Sequence, residues 1–266
     1  MLGLCYDSVS STYKEVQLIN SHICLPKSTL LRFSKSGIVY YFDTNKKKVE
    51  KTTATSFMTQ QDYYNGFIED YLSKKVETKL GRIHNEFSLF NCKSLDLLNI
   101  DRNFTQEILD IILIQLIRNP NYAKSISGKF NISEDVFSNV MLNGFDCYKN
   151  NIHNGMNYQA TALLNRTNKE FFLPSTHSYS VKHKGIESII LILSPKEAVV
   201  LINKHFYQSN YQGCYAEVTS IEEIDKMNYE CLMFDGKYGV GKIIGNKLQL
   251  NDFIDTLQET NIPLSI

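Results

Sequence analysis

Apolar residues recur at spacings of four and three from Ile68 through Leu72, Val76, Leu80 and Ile83 to Phe87. That period predicts one face of a helix from about Asn65 to Phe90. A second helix is predicted from Thr105 to about Arg118, apolar nearly all round through Ile108, Leu109, Ile111, Ile112, Leu113, Leu116 and Ile117. Such a helix belongs at the centre of a core, and Asn119-Pro120 is read as its stop. Ser133-Glu134-Asp135 resembles a helix start, with acids favoured by the helix dipole, and gives a third helix through about Tyr148. Upstream, residues 26–33 suit a short helix with Pro26 in its first turn, ended by Gly37. The β-branched and aromatic run Ile38 to Phe42, the turn residues Asp43 to Lys46 and the segment Val49 to Thr53 then predict a β-hairpin.

Past Asn150 the pattern changes to strands, at Tyr158 to Leu164, Lys169 to Leu173, Ile186 to Leu193 and Ala198 to Ile202. Ser220 with Glu223 three residues on has the capping-box arrangement and predicts a helix from about Ile221 to Phe234. A short strand at Lys242 to Ile244 and a last helix from Asn251 to Glu259 follow. The fold class expected is α+β, with an N-terminal β-hairpin and long helices packed on a mainly antiparallel sheet from the C-terminal half. We expect one domain over residues 1–266, its helical part about 1–150 and its sheet-rich part about 151–266. No internal repeat or low-complexity linker divides it.

Composition narrows the function classes. With 266 residues, 43% of them hydrophobic, the chain is long enough to bury a substantial core. Lys plus Arg and Asp plus Glu each total 28, so no global field draws it to nucleic acid or an anionic surface, and such binding requires a local patch. The six cysteines have no Cys-x-x-Cys spacing and read as reduced and mostly packed inside. Met1 to Asp7 meets an acid before an apolar core forms, which argues against a secretory signal. The apolar stretch Ile108 to Ile117, interrupted by Asp110 and Gln115, is far short of the roughly 20 residues that cross a bilayer. A cytoplasmic location and no membrane partner are the expectation.

Candidate chemistry gathers near the first long helix. At about 100° per residue, Glu69 projects close to the centre of the apolar stripe and Glu77 nearer its edge. A carboxylate inside such a stripe is paired or pKa-shifted, because burying a lone charge is costly; in a first helical turn, an acid is also simply favoured by the dipole. His22, Lys27 and Arg32 are the basic residues upstream that can reach it. His22 admits acid/base or ligand roles and equally a packed or capping role. No His-x-x-x-His or His-Glu-x-x-His pattern supports a helix-borne zinc site, and no metal ligands are assigned. Lys46, Lys47 and Lys48 at the hairpin tip admit phosphate contact, though a solvated turn explains them as well. Gly236 to Ile243 nearly spells a phosphate-binding loop, but Ile243 stands where the hydroxyl is needed, so a glycine-rich turn is the reading.

Several of these segments, in order, resemble a mostly bacterial family catalogued as domain of unknown function 4238. Its His-x-x-Pro-(Arg/Lys)-x-x-Leu-x-x-Phe pattern is matched by His22, Pro26, Lys27, Leu30 or Leu31 and Phe33, with one extra residue between His and Pro. Its hairpin ending in Asp resembles Ile38 to Asp43, its Asp-Tyr-Tyr is Asp62-Tyr63-Tyr64, and its Ile-Glu-x-x-Leu-Ser helix is Ile68 to Ser73 with Glu77. Ile190 to Pro195 resembles the strand running into Leu-Ser-Pro. The Phe-Ile-Thr-Ser-Asp-Asn-Pro-Val strand is eroded to Phe172 to Ser178, so Thr176 stands in place of its Asp. If that Asp serves the relatives, this chain works differently or is inactive.

The resemblance supplies a fold and no activity. We expect a site where His22 and Lys27 approach Glu69, with the Ser175 to Ser178 turn opposite. His22, Glu69 and Glu77 are its catalytic candidates: His22 as acid/base, Glu69 to orient it or hold a metal. Lys27, Arg32, Asp62 and Ser175 are the substrate-binding candidates, with Lys27 on a phosphate. One expected function is an intracellular effector acting on a phosphorylated substrate or nucleic acid in conflict with mobile elements. The other is a non-catalytic recognition module. Neither names a cofactor.

Overall fold

The computed structural model describes residues 21–22, 25–60, 66–92, 100–155, 157–183, 186–203 and 215–259. Within them the chain is α+β. It begins with β1 (Ser21–His22), α1 (Lys27–Arg32), the hairpin β2 (Ile38–Asp43) and β3 (Lys48–Thr53), and β4 (Thr59–Gln60), which pairs with β1. The helical run is α2 (Gly66–Leu72), a π-helical turn (Ser73–Glu77), α3 (Thr78–Cys92), α4 (Arg102–Arg118), α5 (Pro120–Ser127), α6 (Glu134–Asn143) and α7 (Phe145–Gly155). The remainder is β5 (Tyr158–Asn165), β6 (Ser178–His183), β7 (Ile186–Ser194), β8 (Glu197–Asn203), β9 (Tyr215–Val218), α8 (Ile221–Tyr238), β10 (Lys242–Gly245) and α9 (Lys247–Glu259).

A five-stranded sheet in the order β6-β7-β8-β5-β9 divides the molecule. It is antiparallel except for the β5–β9 pair, which is parallel. Alternation along its strands sends side chains to two cores. Ala160, Ala162, Leu164, Leu191, Leu193, Val199 and Leu201 face the helical layer, against Ile68, Leu72, Val76, Leu80, Ile83 and Phe87 and the apolar side chains of α4. Leu163, Ile190, Ile192 and Ala198 face the opposite side, where α8, α9 and a second sheet pack. That second sheet is antiparallel, in the order β10-β2-β3, so the C-terminal strand completes the N-terminal hairpin.

The predicted helical face is buried as its period requires, with Ile68, Val76, Leu80, Ile83 and Phe87 fully buried. The helix carries a π turn, in which the Thr78 amide donates to the Ser73 carbonyl. Pro120 ends α4 and also begins α5, because a proline at a first helical position forgoes only an amide that has no intrahelical acceptor. The expected third helix divides at Gly144 into α6 and α7. The expected strand at Lys169 to Leu173 is reduced to one bridge, Leu173 to Ile244. The Phe171 amide donates to the Pro195 carbonyl, and side chains take the next bonds: Gln249 Oε1 accepts from the Glu170 amide, Asn228 Oδ1 accepts from the Phe172 amide, and Asn228 Nδ2 donates to the Glu170 carbonyl. Cys231 is buried and Cys147 exposed, both as free thiols. No described helix is long and apolar enough to cross a membrane.

Candidate functional site

The site is a layer of polar side chains sealed between α1, α3, the C-terminal end of α4 and the turn that precedes β6. Gln115 and Asn119 lie one helical turn apart, with Arg118 beside them, so the three share the last-turn face of α4. Gln115 and Asn119 are fully buried and Arg118 is 3% exposed. Arg118 Nη1 donates to Gln115 Oε1 at 3.5 Å. Asn119 both closes α4 and caps α5, its Oδ1 accepting from the Asn121 amide at 3.0 Å and the Tyr122 amide at 3.2 Å.

Those bonds fix how both amides point. Because Oε1 of Gln115 and Oδ1 of Asn119 are engaged as acceptors, the other terminal atom of each is the nitrogen, which is a donor. Gln115 Nε2 and Asn119 Nδ2 are buried and have no hydrogen-bond partner among the described residues. A buried donor left without an acceptor costs ~1–3 kcal/mol. Two such donors on one face beside a guanidinium are the donor set that suits an anionic oxygen.

The opposite wall is the turn from Pro174 to His177, closed by the His177 amide donating to the Pro174 carbonyl at 2.9 Å. His177 takes a left-handed backbone, φ 66°, a conformation that a non-glycine residue adopts at some cost. Its ring is completely buried, and Nε2 lies 3.4 Å from Thr29 Oγ1 of α1. Burial pushes the imidazole down to about 3, helped by the neighbouring His84 and Arg118, while the approach to the Ile192 backbone opposes slightly. Nδ1 has no partner of proper hydrogen-bond geometry among the described residues. His84 of α3 is pushed down to about 3 as well, by burial and then by the Arg32 charge. Both rings are therefore neutral at physiological pH.

Asp235 holds the turn in place from behind. Its Oδ1 accepts from Ser175 Oγ at 2.6 Å and the Thr176 amide at 3.3 Å, and its Oδ2 accepts from the Lys242 amide at 3.0 Å. Burial raises the carboxyl to about 6, against the lowering effect of those hydrogen bonds. Ser175 Oγ in turn accepts from the Val240 amide at 2.9 Å. The glycine-rich turn explains itself here: a Cβ at Gly239 would collide with Asp235 Oδ1 and Ser175 Oγ, and Gly241 has a left-handed φ of 72°.

The structure brings some of the predicted site residues to this layer in particular roles. Glu77, at the end of the π turn, accepts from the Lys27 amide at 3.2 Å and from Ser28 Oγ at 3.0 Å, so its carboxylate caps the start of α1. Lys27 contributes that backbone amide, and its side chain is exposed. Arg32 pairs with the buried Glu197 of β8 at 3.5 Å. Ser175 is engaged with Asp235 and Val240 as described. The side chains of His22 and Glu69, and Asp62 altogether, lie outside the described residues. The turn from Ser175 to Ser178 does face α1, through His177 and Thr29.

Sequence reasoning did not single out Gln115, Arg118, Asn119, His84 or Asp235 as site residues. The available signal was Gln115, a polar residue interrupting an otherwise apolar helix. Asp235 falls beyond the expected end of its helix, which in fact continues to Tyr238. Among the described residues no group of three or more His, Cys, Asp or Glu side chains is placed to hold a metal ion. No family model, curated protein or solved structure matches the chain.

Proposed function

We propose that the protein recognises a phosphate-bearing ligand, with an anionic oxygen of that ligand received by Gln115 Nε2, Asn119 Nδ2 and Arg118. One observation carries this: two buried amide donors, oriented by their own acceptor bonds, have no acceptor among the described residues. Arg118 supplies the charge that favours phosphate over a neutral acceptor. The ligand enters from the α1 side, since α1 is only six residues long and meets the layer through the long Thr29–His177 contact. The kinship with domain of unknown function 4238 is part of the same proposal, because several of that family's motif segments converge on this layer.

Recognition without turnover is the first reading, because Glu77 and Ser175 are already engaged in holding α1 and the turn. The second reading is an effector acting on the phosphorylated substrate or on nucleic acid. It is favoured by His177, an imidazole on a strained backbone at the layer's wall, whose Nδ1 has no hydrogen-bond partner among the described residues. Controlled expression in a bacterial host separates them, comparing growth and RNA and DNA integrity for the wild type and Arg118→Gln. Growth arrest with nucleic-acid damage that Arg118→Gln abolishes is the effector outcome. Normal growth, with a phosphate-dependent stabilisation that the variant lacks, is the recognition outcome. Neither arrest nor any phosphate dependence would overturn both.

A further inference from the structure

A second polar site lies at the three-stranded sheet. Tyr40 of β2 stands directly across from Lys51 of β3 in the antiparallel register, with Gly245 of β10 on its other side. On the Gly245 flank the core side chains of Phe172 and Leu250 close in, so the ring is half-buried and its outward side meets the hollow. Lys247, the first residue of α9, places its ammonium 6.0 Å from the centre of the Tyr40 ring. Together with Val49 and Glu50 these residues line an open hollow of about 530 Å³. Small-molecule sites commonly occupy roughly 300–1,000 Å³.

The charges in this hollow are unbalanced. Glu50, the acid lining it, is consumed locally: Lys46 and Lys48 pair with it at 3.0 and 2.8 Å, and Tyr41 donates its hydroxyl to it at 2.8 Å. Lys51 and Lys247 are exposed and, among the described residues, have no carboxylate within ion-pair distance. A half-buried aromatic ring between two unneutralised cations, over an apolar floor at Val49, suits a planar base joined to a phosphate.

From this we infer that the Tyr40, Lys51 and Lys247 hollow binds a nucleotide unit, its base stacked on Tyr40 and its phosphate held by the two lysines. The unit comes either from a free nucleotide or from a single strand of nucleic acid, and the chemistry is shared. This site stands apart from the polar layer at α4 and does not depend on it.

Fluorescence anisotropy of a labelled single-stranded oligouridylate, titrated with the full chain over a range of salt, tests the assignment. With two lysines on phosphate, log affinity falls against log salt with a slope of about −1.4, and Lys51→Gln or Lys247→Gln each reduces that slope by about 0.7. Tyr40→Leu weakens binding roughly tenfold with the slope unchanged, while Tyr40→Phe retains the affinity. Both lysines are exposed, so their variants fold whatever happens at Tyr40. Displacement of the label by adenosine monophosphate identifies a free nucleotide as the source; binding of the strand alone identifies nucleic acid. The inference is overturned by no anisotropy change and no interaction with adenosine monophosphate, or by binding indifferent to both lysine variants.

Discussion

Replacing His177 with asparagine removes one proton-binding group while keeping the backbone it needs, because asparagine tolerates the left-handed conformation found there, φ 66°. In the folded protein burial holds this imidazole down to about 3, whereas in the unfolded chain it titrates near the ordinary value of about 6.5. The unfolded state therefore binds the proton first as the pH falls. The stability that a neutral His177 contributes is intact above about pH 6.5 and is lost progressively down to about pH 3. At pH 5 the unfolded chain is about 1.5 pH units below that histidine's midpoint, which corresponds to a loss of about 2 kcal/mol. His84, also pushed down to about 3, loses a similar amount. Asp235 acts in the opposite direction: raised to about 6, it contributes stability when protonated that is lost as the pH rises through that value, and it returns about 1.4 kcal/mol at pH 5. The wild type should thus lose on the order of 3 kcal/mol between pH 7.5 and 5 from these three groups, and His177→Asn only about 1. Urea unfolding followed by far-ultraviolet circular dichroism in phosphate-free buffer measures both. Equal losses in the two proteins would refute the reasoning, since they would mean that the folded protein protonates His177 as readily as the unfolded chain does.

Three further outcomes follow from the same contacts. Ser175→Ala removes the donor to the buried Asp235 and the acceptor for the Val240 amide, so it should lower stability by about 1–3 kcal/mol in urea titration, and an unchanged midpoint would contradict the described bonding. Gly239→Ala drives a methyl group into Asp235 and Ser175 and should cost about 1–3 kcal/mol or more, read as a drop in thermal midpoint larger than that of Gly81→Ala, whose Cβ position is open. Glu77→Ala should lose about 1 kcal/mol by uncapping α1, with faster amide exchange at Lys27 and Ser28, whereas Glu77→Gln retains most of the protection.

Periodicity made much of the fold legible, and chemistry much less of the site. The Ile68 to Phe87 stripe, the hairpin from Ile38, the β5, β7 and β8 strands and the Ser220 cap all follow from local pattern, and Ser220 Oγ indeed accepts from the Glu223 amide. The segment from Lys169 to Leu173 has strand-like residues but lies where Gln249 and Asn228 accept from the Glu170 and Phe172 amides, a tertiary substitution that no local pattern records. Pro120 carries an ambiguous signal, since the same residue ends one helix and starts another. At the site, Glu77 and Ser175 are visible as polar residues of interest, but their roles as a helix cap and an aspartate partner depend on residues 50 and 60 positions away. Gln115, Asn119 and His177 acquire meaning only once α4 meets the turn before β6. Their shared property, burial without a full set of partners, belongs to three-dimensional packing rather than to sequence.

The claim that the α4 layer awaits an anionic oxygen is tested most directly by thermal unfolding of the full chain in rising concentrations of inorganic phosphate at constant ionic strength, beside Arg118→Gln. The account predicts that phosphate stabilises the wild type in a saturable way, by about 2.7 kcal/mol at a hundredfold excess over the dissociation constant, and leaves Arg118→Gln unchanged. A bound water would satisfy the two amides as well but would give no dependence on phosphate. Identical melting in both proteins at every phosphate concentration would contradict the account.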